Sequence, residues 1–374
     1  MIVIKTYKYR IYPNKSQKIL MAKHFGSTRF VWNCFLAKRK ESYLENKKSL
    51  TFYDNSKELT SLKKDKDFEW LKEVNSQSLQ ASLKDLDTAY GRFFKKQAMF
   101  PKFKSKFKSV NSFRCPQGVK IQNGKLSLPK FKDGIKIKLH RNLVGKILFA
   151  TISQTLTGKY FVSIACESNH EPMRSSNKKV GIDLGIKNLV ICSDGKVFNN
   201  PKITKKYAKK LAYEQRQFAK KKKGSGKRFK QRKKVVNVYE TIKNVRMDNL
   251  HKVSHSLIKE YQTIVIEDLN VKGMIKNHCL AKAVADVSWG ELIRQLEYKA
   301  KWNKRNFVKI GRFFPSSKTC NVCNFINQNL TLKEREWTCP QCKTVLDRDK
   351  NAAKNILKQG LKILSGSGTE SDTK

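Results

Sequence analysis

Along the first dozen residues apolar and basic positions alternate, with Tyr7, Tyr9 and Ile11 facing one way and Lys8 and Arg10 the other. That is the period of a strand with one buried and one basic face. Pro13, which has no N–H to give to a ladder, ends it. Apolar positions then recur at helical spacing in two stretches, about 15–25 and 28–45, and Gly26 with Ser27 reads as a stop followed by a new N-cap. The pattern predicts a helix-turn-helix. Leu79, Leu83, Leu86, Tyr90 and Phe93 step by four, three, four and three, one buried stripe on a long helix. Residues 16–98 are therefore read as mainly helical.

Between 118 and 167 the period changes to two. VKIQNGKLSL carries Asn123-Gly124, a dipeptide suited to a tight hairpin turn, and IKIKLH, KILFATISQT and KYFVSIACE read as further strands. They predict a small antiparallel sheet or barrel, completed by the first strand. The polar stretch ESNHEPMRSSNKK (167–179) marks a boundary. Beyond it VGIDLG and NLVICSD read as strands, 205–260 as long charged helices, TIVIEDL as a buried strand, ELIRQLEYKAKWNKRN as a helix and FVKIG as another strand. Strands alternating with helices predict an α/β core.

Charge changes this picture from a fold to a partner. The 374 residues, enough for two or three globular units, carry 80 Lys+Arg against 30 Asp+Glu, a formal net charge of +50. A polyanion, nucleic acid above all, would offset the self-repulsion. No run of about 18 apolar residues and no signal-peptide pattern points to a membrane, so the expectation is a soluble cytoplasmic protein. Two segments stand out. FPKFKSKFK (100–108) interleaves Phe100, Phe103 and Phe107 with lysines, which suits either stacking on bases or anchoring in a core. In KKKKGSGKRFKQRKK (220–234) ten of fifteen residues are Lys or Arg, a density that favours a nucleic-acid contact over a merely solvated run. The tail SGSGTESDTK is small and polar and is expected to be disordered.

Five of the nine cysteines (Cys34, Cys115, Cys166, Cys192 and Cys279) are scattered singly and read as unpaired thiols. The other four form two knuckles, Cys320-x2-Cys323 and Cys339-x2-Cys342, separated by fifteen residues. That spacing suits a four-thiolate zinc ribbon. Four sulfurs leave no position open for water, so this zinc is expected to be structural.

Three acids in separate elements are the candidate chemistry: Asp183 in VGIDLGIKN, Glu267 in TIVIEDLN and Asp349 in DRDKNAAKN. Singly each has a bland alternative. Asp183 could begin a turn. Glu267 ends a β-branched run of the kind buried on both faces, where a bound cation would compensate a carboxylate, and its neighbour Asp268 would point the other way. Asp347 or Asp349 could simply cap the last helix. Together, carboxylates from strands and a helix suit magnesium, and two such ions about 4 Å apart would serve an in-line phosphodiester displacement.

The ordered motifs YRIYPNKSQ, FGSTRFVWN, GIDLGIKNL, IVIEDLNVKGM, SWGELIRQLEYKA, SSKTCNVC, REWTCPQC and DRDKNAAKNI resemble, over nearly the whole chain, the TnpB (OrfB) proteins of bacterial insertion sequences, relatives of type V CRISPR effector nucleases. The resemblance implies an RNase H-like (RuvC-like) nuclease fold with its three catalytic acids on Asp183, Glu267 and Asp349. Asp349 matches the family's D-x-N-A-A pattern and Asp347 is the alternative. It implies a wedge-like barrel (1–14 and 110–170), a helical recognition lobe (15–109), a nuclease domain (178–317 and 346–362), an inserted zinc ribbon (318–345) and a tail (363–374). It also implies a guide RNA made from the transposon end, pairing with double-stranded target DNA. Two other readings follow from the same residues, a transposase that joins DNA ends and a nuclease-dead RNA-guided repressor. The second would be expected to lack one of the acids.

Overall fold

The alternation in the first dozen residues becomes the strand β1 (Ile2–Tyr12), with Tyr7, Tyr9 and Ile11 buried and the cations of Lys8 and Arg10 lying 4.7 and 5.1 Å over the ring of Phe161. This computed structural model describes residues 1–106, 110–331 and 334–366. The tail expected to be disordered lies, from residue 367 onward, outside the described residues. The chain separates into two units, Met1–His170 and Glu171 onward.

In the first unit β1 is followed by α1 (Lys15–Asn46), α2 (Phe52–Leu62), a 3-10 helix (Lys66–Glu73) and α3 (Ser76–Phe94). Then come β2 (Asn111–Cys115), β3 (Lys120–Gln122), β4 (Lys125–Leu128), β5 (Phe131–Lys138), β6 (Lys146–Gln154) and β7 (Tyr160–Asn169). The seven strands form one antiparallel sheet in the order β2-β6-β7-β1-β5-β4-β3, with β1 paired to β7 and β5. Asn123 and Gly124 turn the β3–β4 hairpin with φ of 50° and 68°, the left-handed values such a turn demands. The sheet is rolled, since Phe113 on β2 and Phe131 on β5 stack at 6.5 Å across one shared core. Of the two expectations, sheet or barrel, the hydrogen bonding among the described residues gives a rolled sheet with β2 and β3 as its edges.

The helix-turn-helix predicted from Gly26-Ser27 is instead one continuous helix, α1. Gly26 does not enter the left-handed region that ends helices. Ser27 Oγ donates to the carbonyl of Lys23 at 2.9 Å and Thr28 Oγ1 to that of His24 at 2.8 Å, so both hydroxyls bond backward along a helix instead of capping a new one. A glycine inside a helix costs only about 1 kcal/mol, and packing overrides it. Met21 and Phe25 join the sheet's core, whereas Val31, Trp32, Phe35 and Leu36 join a separate core with α2 and α3.

The second unit runs β8 (Lys179–Asp183), β9 (Asn188–Cys192), β10 (Val197–Asn199), α4 (Ile203–Ala219), α5 (Gly226–Glu260), β11 (Thr263–Glu267), α6 (Val271–Lys276), α7 (His278–Val287), α8 (Trp289–Trp302) and β12 (Asn306–Ile310). The short hairpin β13 (Glu336–Thr338) and β14 (Val345–Asp347) and the helix α9 (Arg348–Leu364) complete it. Its main sheet has the order β10-β9-β8-β11-β12. The first three strands are antiparallel, and β11 and β12 run parallel to β8. Val180, Ile182, Ile264 and Ile266 face α5 and α8 on one side. Val265 faces α9 on the other, with Ile310 and Ile356. Helices cover both faces, which is why Thr263–Ile266 is buried throughout.

Helix α9 lies so close to the sheet that two glycines are required. A Cβ on Gly181 would stand 2.1 Å from the carbonyl oxygen of Ala353 and 2.5 Å from the nitrogen of Leu357, and one on Gly360 would stand 2.3 Å from Val265. Among the described residues no helix is long and apolar enough to cross a membrane.

Candidate metal-binding and catalytic sites

Parallel pairing of β8 with β11 places their last residues, Asp183 and Glu267, at the same end of the sheet. Helix α9, crossing that face, begins beside them and brings Asp349 in its first turn. Burial raises the Asp183 carboxyl, and the charges of Glu267 and Asp349 raise it further, to about 7. Arg348 and the N–H of Leu184 oppose the shift. Burial likewise raises Glu267, against a hydrogen bond from Ser316. Asp349 accepts from Arg335 Nη1 at 2.9 Å and from Arg348 Nη2 at 3.2 Å.

The competing acids go elsewhere. Asp347 N-caps α9, its Oδ1 accepting from the N–H of Lys350 at 2.8 Å. Asp268 accepts from Arg312 Nη2 at 2.7 Å, consistent with alternation along β11. Of the predicted acids, Asp183, Glu267 and Asp349 are thus the three that share one neighbourhood.

The four cysteines form a second centre. Cys320 and Cys342 Sγ stand 3.6 Å apart, Cys323 and Cys339 Sγ 3.5 Å apart, and all four sulfurs lie within 4.8 Å of one another. Thiolates about 2.3 Å from a shared zinc stand roughly 3.8 Å apart in a tetrahedron, so the cluster fits a zinc ribbon. Cys342 Sγ donates to Thr344 Oγ1 at 3.3 Å, and among these neighbouring sulfurs the Cys342 thiol is lowered while that of Cys323 is raised. Among the described residues this is the one group of three or more such side chains already gathered as a ligand set. The remaining five cysteines are free thiols.

Residues that sequence reasoning did not single out join the two centres. Asn355 Nδ2 donates to the carbonyls of Ser316 at 2.8 Å and Thr319 at 2.6 Å. Asn351 Oδ1 accepts from the backbone N–H and the side chain of Asn321 at 2.9 and 2.7 Å, and its Nδ2 donates to Thr319 at 2.7 Å. Both amides are almost fully buried. They fasten the segment carrying Cys320, and Ser316 at its head donates to Glu267. The signal in the sequence was two asparagines one turn apart on the apolar side of NAAKNI, where an amide is tolerated only if fully hydrogen-bonded.

The basic segments divide. In 100–108, Trp32 Nε1 donates to Lys102 at 3.0 Å, Asn33 exchanges two 2.8 Å bonds with Lys104, and the Lys104 ammonium sits 3.6 Å over the Trp32 ring. Phe100 packs edge-on against Tyr90 and Phe93, so this part is anchored, while Phe103 stays half exposed and Phe107 lies outside the described residues. Residues 220–234 form the tip of the α4–α5 helical hairpin. There Arg228 ties the turn together through the carbonyls of Phe218 and Lys221 at 3.1 and 2.7 Å.

The chain is similar to known proteins. Three family models match: the helix-turn-helix domain of OrfB_IS605 over residues 1–48, OrfB_IS605, described as "Probable transposase", over 163–278, and the Cas12f1-like TNB domain over 289–356. A Streptomyces pristinaespiralis protein called "Putative RNA-guided DNA endonuclease" is 40% identical over 362 residues, 96% of this chain and 90% of that protein. InsQ of Escherichia coli (strain K12), which carries the same description, is 33% identical over 380 residues, 97% and 94% of the two chains. A solved Cas12f1–sgRNA–target DNA complex aligns at 14% identity over 95% of this chain and 99% of that one, with a TM-score of 0.36. The chain belongs to the OrfB (TnpB) family of insertion-sequence proteins.

Proposed function

We propose that the chain is an RNA-guided endonuclease that hydrolyses phosphodiester bonds of double-stranded target DNA with Asp183, Glu267 and Asp349. The observation that supports this reading is that Asp183 and Glu267 end paired parallel strands, with Asp349 in the first turn of α9 near enough for its charge, with burial and that of Glu267, to push Asp183 up to about 7. Crowded carboxylates of this kind are what a divalent cation neutralises. Two magnesium ions there would lower the pKa of the attacking water and stabilise the leaving oxygen.

The protein's own contribution is placement. Strand β8 fixes Asp183, Ser316 orients Glu267, and Arg335 with Arg348 restrains Asp349 and adds positive charge for a phosphate. The mixed sheet covered by helices, with acids at its strand ends, supports an RNase H-like nuclease domain over 178–317 and 346–362. The ribbon (318–345) holds one structural zinc through Cys320, Cys323, Cys339 and Cys342. The rolled sheet (1–14 and 110–170) serves as the wedge and the helices (15–109) as the recognition lobe. A charge of +50 suffices to hold a guide RNA copied from the transposon end together with its DNA target. The protein acts in the cytoplasm, at the nucleoid.

The test is to purify the protein from cells carrying its native transposon end, sequence the copurifying RNA and assay plasmid cleavage with magnesium. Cleavage that needs both RNA and metal and vanishes in Asp183→Ala supports the reading. The description of one matching model as a transposase favours a second reading, and product chemistry separates them. Joined transposon ends in place of broken target ends would refute the nuclease.

A further inference from the structure

We propose that Phe313 is a stacking platform for an unpaired nucleobase of the DNA strand being cut, next to the carboxylate site. The inference rests on the nuclease reading and adds a residue that positions the strand at that site. Phe313 is 92% exposed, yet everything around it is fixed. Before it, the N–H of Asp268 donates to the carbonyl of Ile310 at 3.2 Å, and Arg312 bonds Asp268 through Nη2 at 2.7 Å and through Nε, to the backbone carbonyl, at 3.2 Å. After it, Phe314 packs against the core of Val265, Ile310 and Ile356, and the N–H of Ser316 donates to the Phe314 carbonyl at 2.8 Å. The Ser316 hydroxyl then donates to Glu267.

A single exposed apolar side chain is usually without meaning. Position makes this one different. The loop 311–316 is tied at one end to Asp268 and at the other to Glu267, so a ring without a partner among the described residues is held out on a braced segment beside the site. Three residues span at most about 11 Å, so Phe313 lies within a nucleotide or two of a phosphate held near Glu267. A phenyl ring has no polar handle and offers only its face. The matching ligand is the face of a base, with Arg312 next in the chain to offer positive charge to the backbone. In a duplex those faces are occupied by neighbouring bases. The Phe313 ring therefore suits a base of an unpaired strand and not one stacked in a duplex.

The test uses the full chain with its copurified RNA in an Asp183→Ala background, bound to single-stranded DNA that carries 5-iodouracil at successive positions across the cut. Ultraviolet cross-linking followed by peptide mapping should place an adduct on Phe313 for one or two adjacent positions. Phe313→Ala, which disturbs no buried contact, should lose that adduct and weaken strand binding by about 5- to 100-fold. RNA affinity should stay unchanged, and Phe313→Trp should restore strand binding. Adducts only elsewhere, or equal strand affinity in Phe313→Ala, would overturn the proposal even if the wild-type protein cuts. A wild-type protein that cross-links through Phe313 but never cuts would instead sink the nuclease reading and leave the stacking site standing.

Discussion

Replacing Asp183 by asparagine should make the protein more stable in the absence of magnesium while destroying its cutting. The carboxyl of Asp183 moves from 3.8 to about 7 on folding, so the folded state holds a proton that the unfolded state has released. For a carboxyl raised in this way, stability falls as pH climbs from about 4 to about 7, and the penalty is complete above 7. That difference corresponds to about 4 kcal/mol, and the part of the side chain that stays wet lowers this to about 2–4 kcal/mol. The asparagine side chain keeps the shape and can still accept from Leu184 but carries no charge. Thermal unfolding in magnesium-free buffer at pH 8 should show the second unit of Asp183→Asn melting on the order of 5–10 °C higher than wild type. At pH 5 roughly a third of the gain should remain. Magnesium should raise the wild type and leave the variant unmoved. Chelators must be avoided, since they would also strip zinc from the cysteines. Equal or lower stability of the variant at pH 8 would refute the crowding of Asp183 by Glu267 and Asp349.

Other parts of the fold invite simpler tests. Asn355→Ala leaves the carbonyls of Ser316 and Thr319 without their buried donor and should cost about 2–4 kcal/mol in urea unfolding; a loss below about 0.5 kcal/mol would mean that α9 does not anchor the first cysteine knuckle. Gly181→Ala drives a methyl into backbone atoms of Ala353 and Leu357 and should destabilise by about 3 kcal/mol or more, with a melt indistinguishable from wild type counting against the close approach of α9 to β8. Changing Lys220, Lys221, Lys222 and Lys223 to Gln should flatten the plot of log RNA affinity against log salt by about 0.7 for each phosphate that is no longer neutralised. An unchanged slope would assign the helical hairpin tip to solvent alone.

Features that depend on neighbours in sequence were legible before the structure. The alternation of Tyr7, Tyr9 and Ile11 specified β1, Asn123-Gly124 specified a hairpin, and two Cys-x2-Cys knuckles specified a sulfur cluster. Asp183, Glu267 and Asp349 could be picked out because each follows or begins an apolar element, and the resemblance supplied their grouping. Gly26 misled because glycine marks a helix end only when its φ turns positive, and here the packing of Phe25 and Val31 into two cores holds the helix through it. The choice between sheet and barrel stayed open in the sequence because alternation marks strands but not how far they roll, and here rolling brings Phe113 to Phe131 without pairing the edges. Ser316, Asn351 and Asn355 passed unnoticed because their partners are remote in the chain or belong to its backbone. The short elements β10, α6 and α7 were also missed; β10 spans three residues, and Asn277 both ends α6 and caps α7.

The dependence of Asp183 on α9 has a consequence for synthesis. Translation delivers β8 early and α9 only after the helical hairpin, α8 and both cysteine knuckles have been made. Until then one face of the sheet is uncovered along Gly181 and Val265, and the third carboxylate does not yet exist. A half-made chain can have its basic helices and still be chemically silent. On the nuclease reading proposed above, a chain that stops short of Asp349 can bind nucleic acid but lacks the third carboxylate of the site.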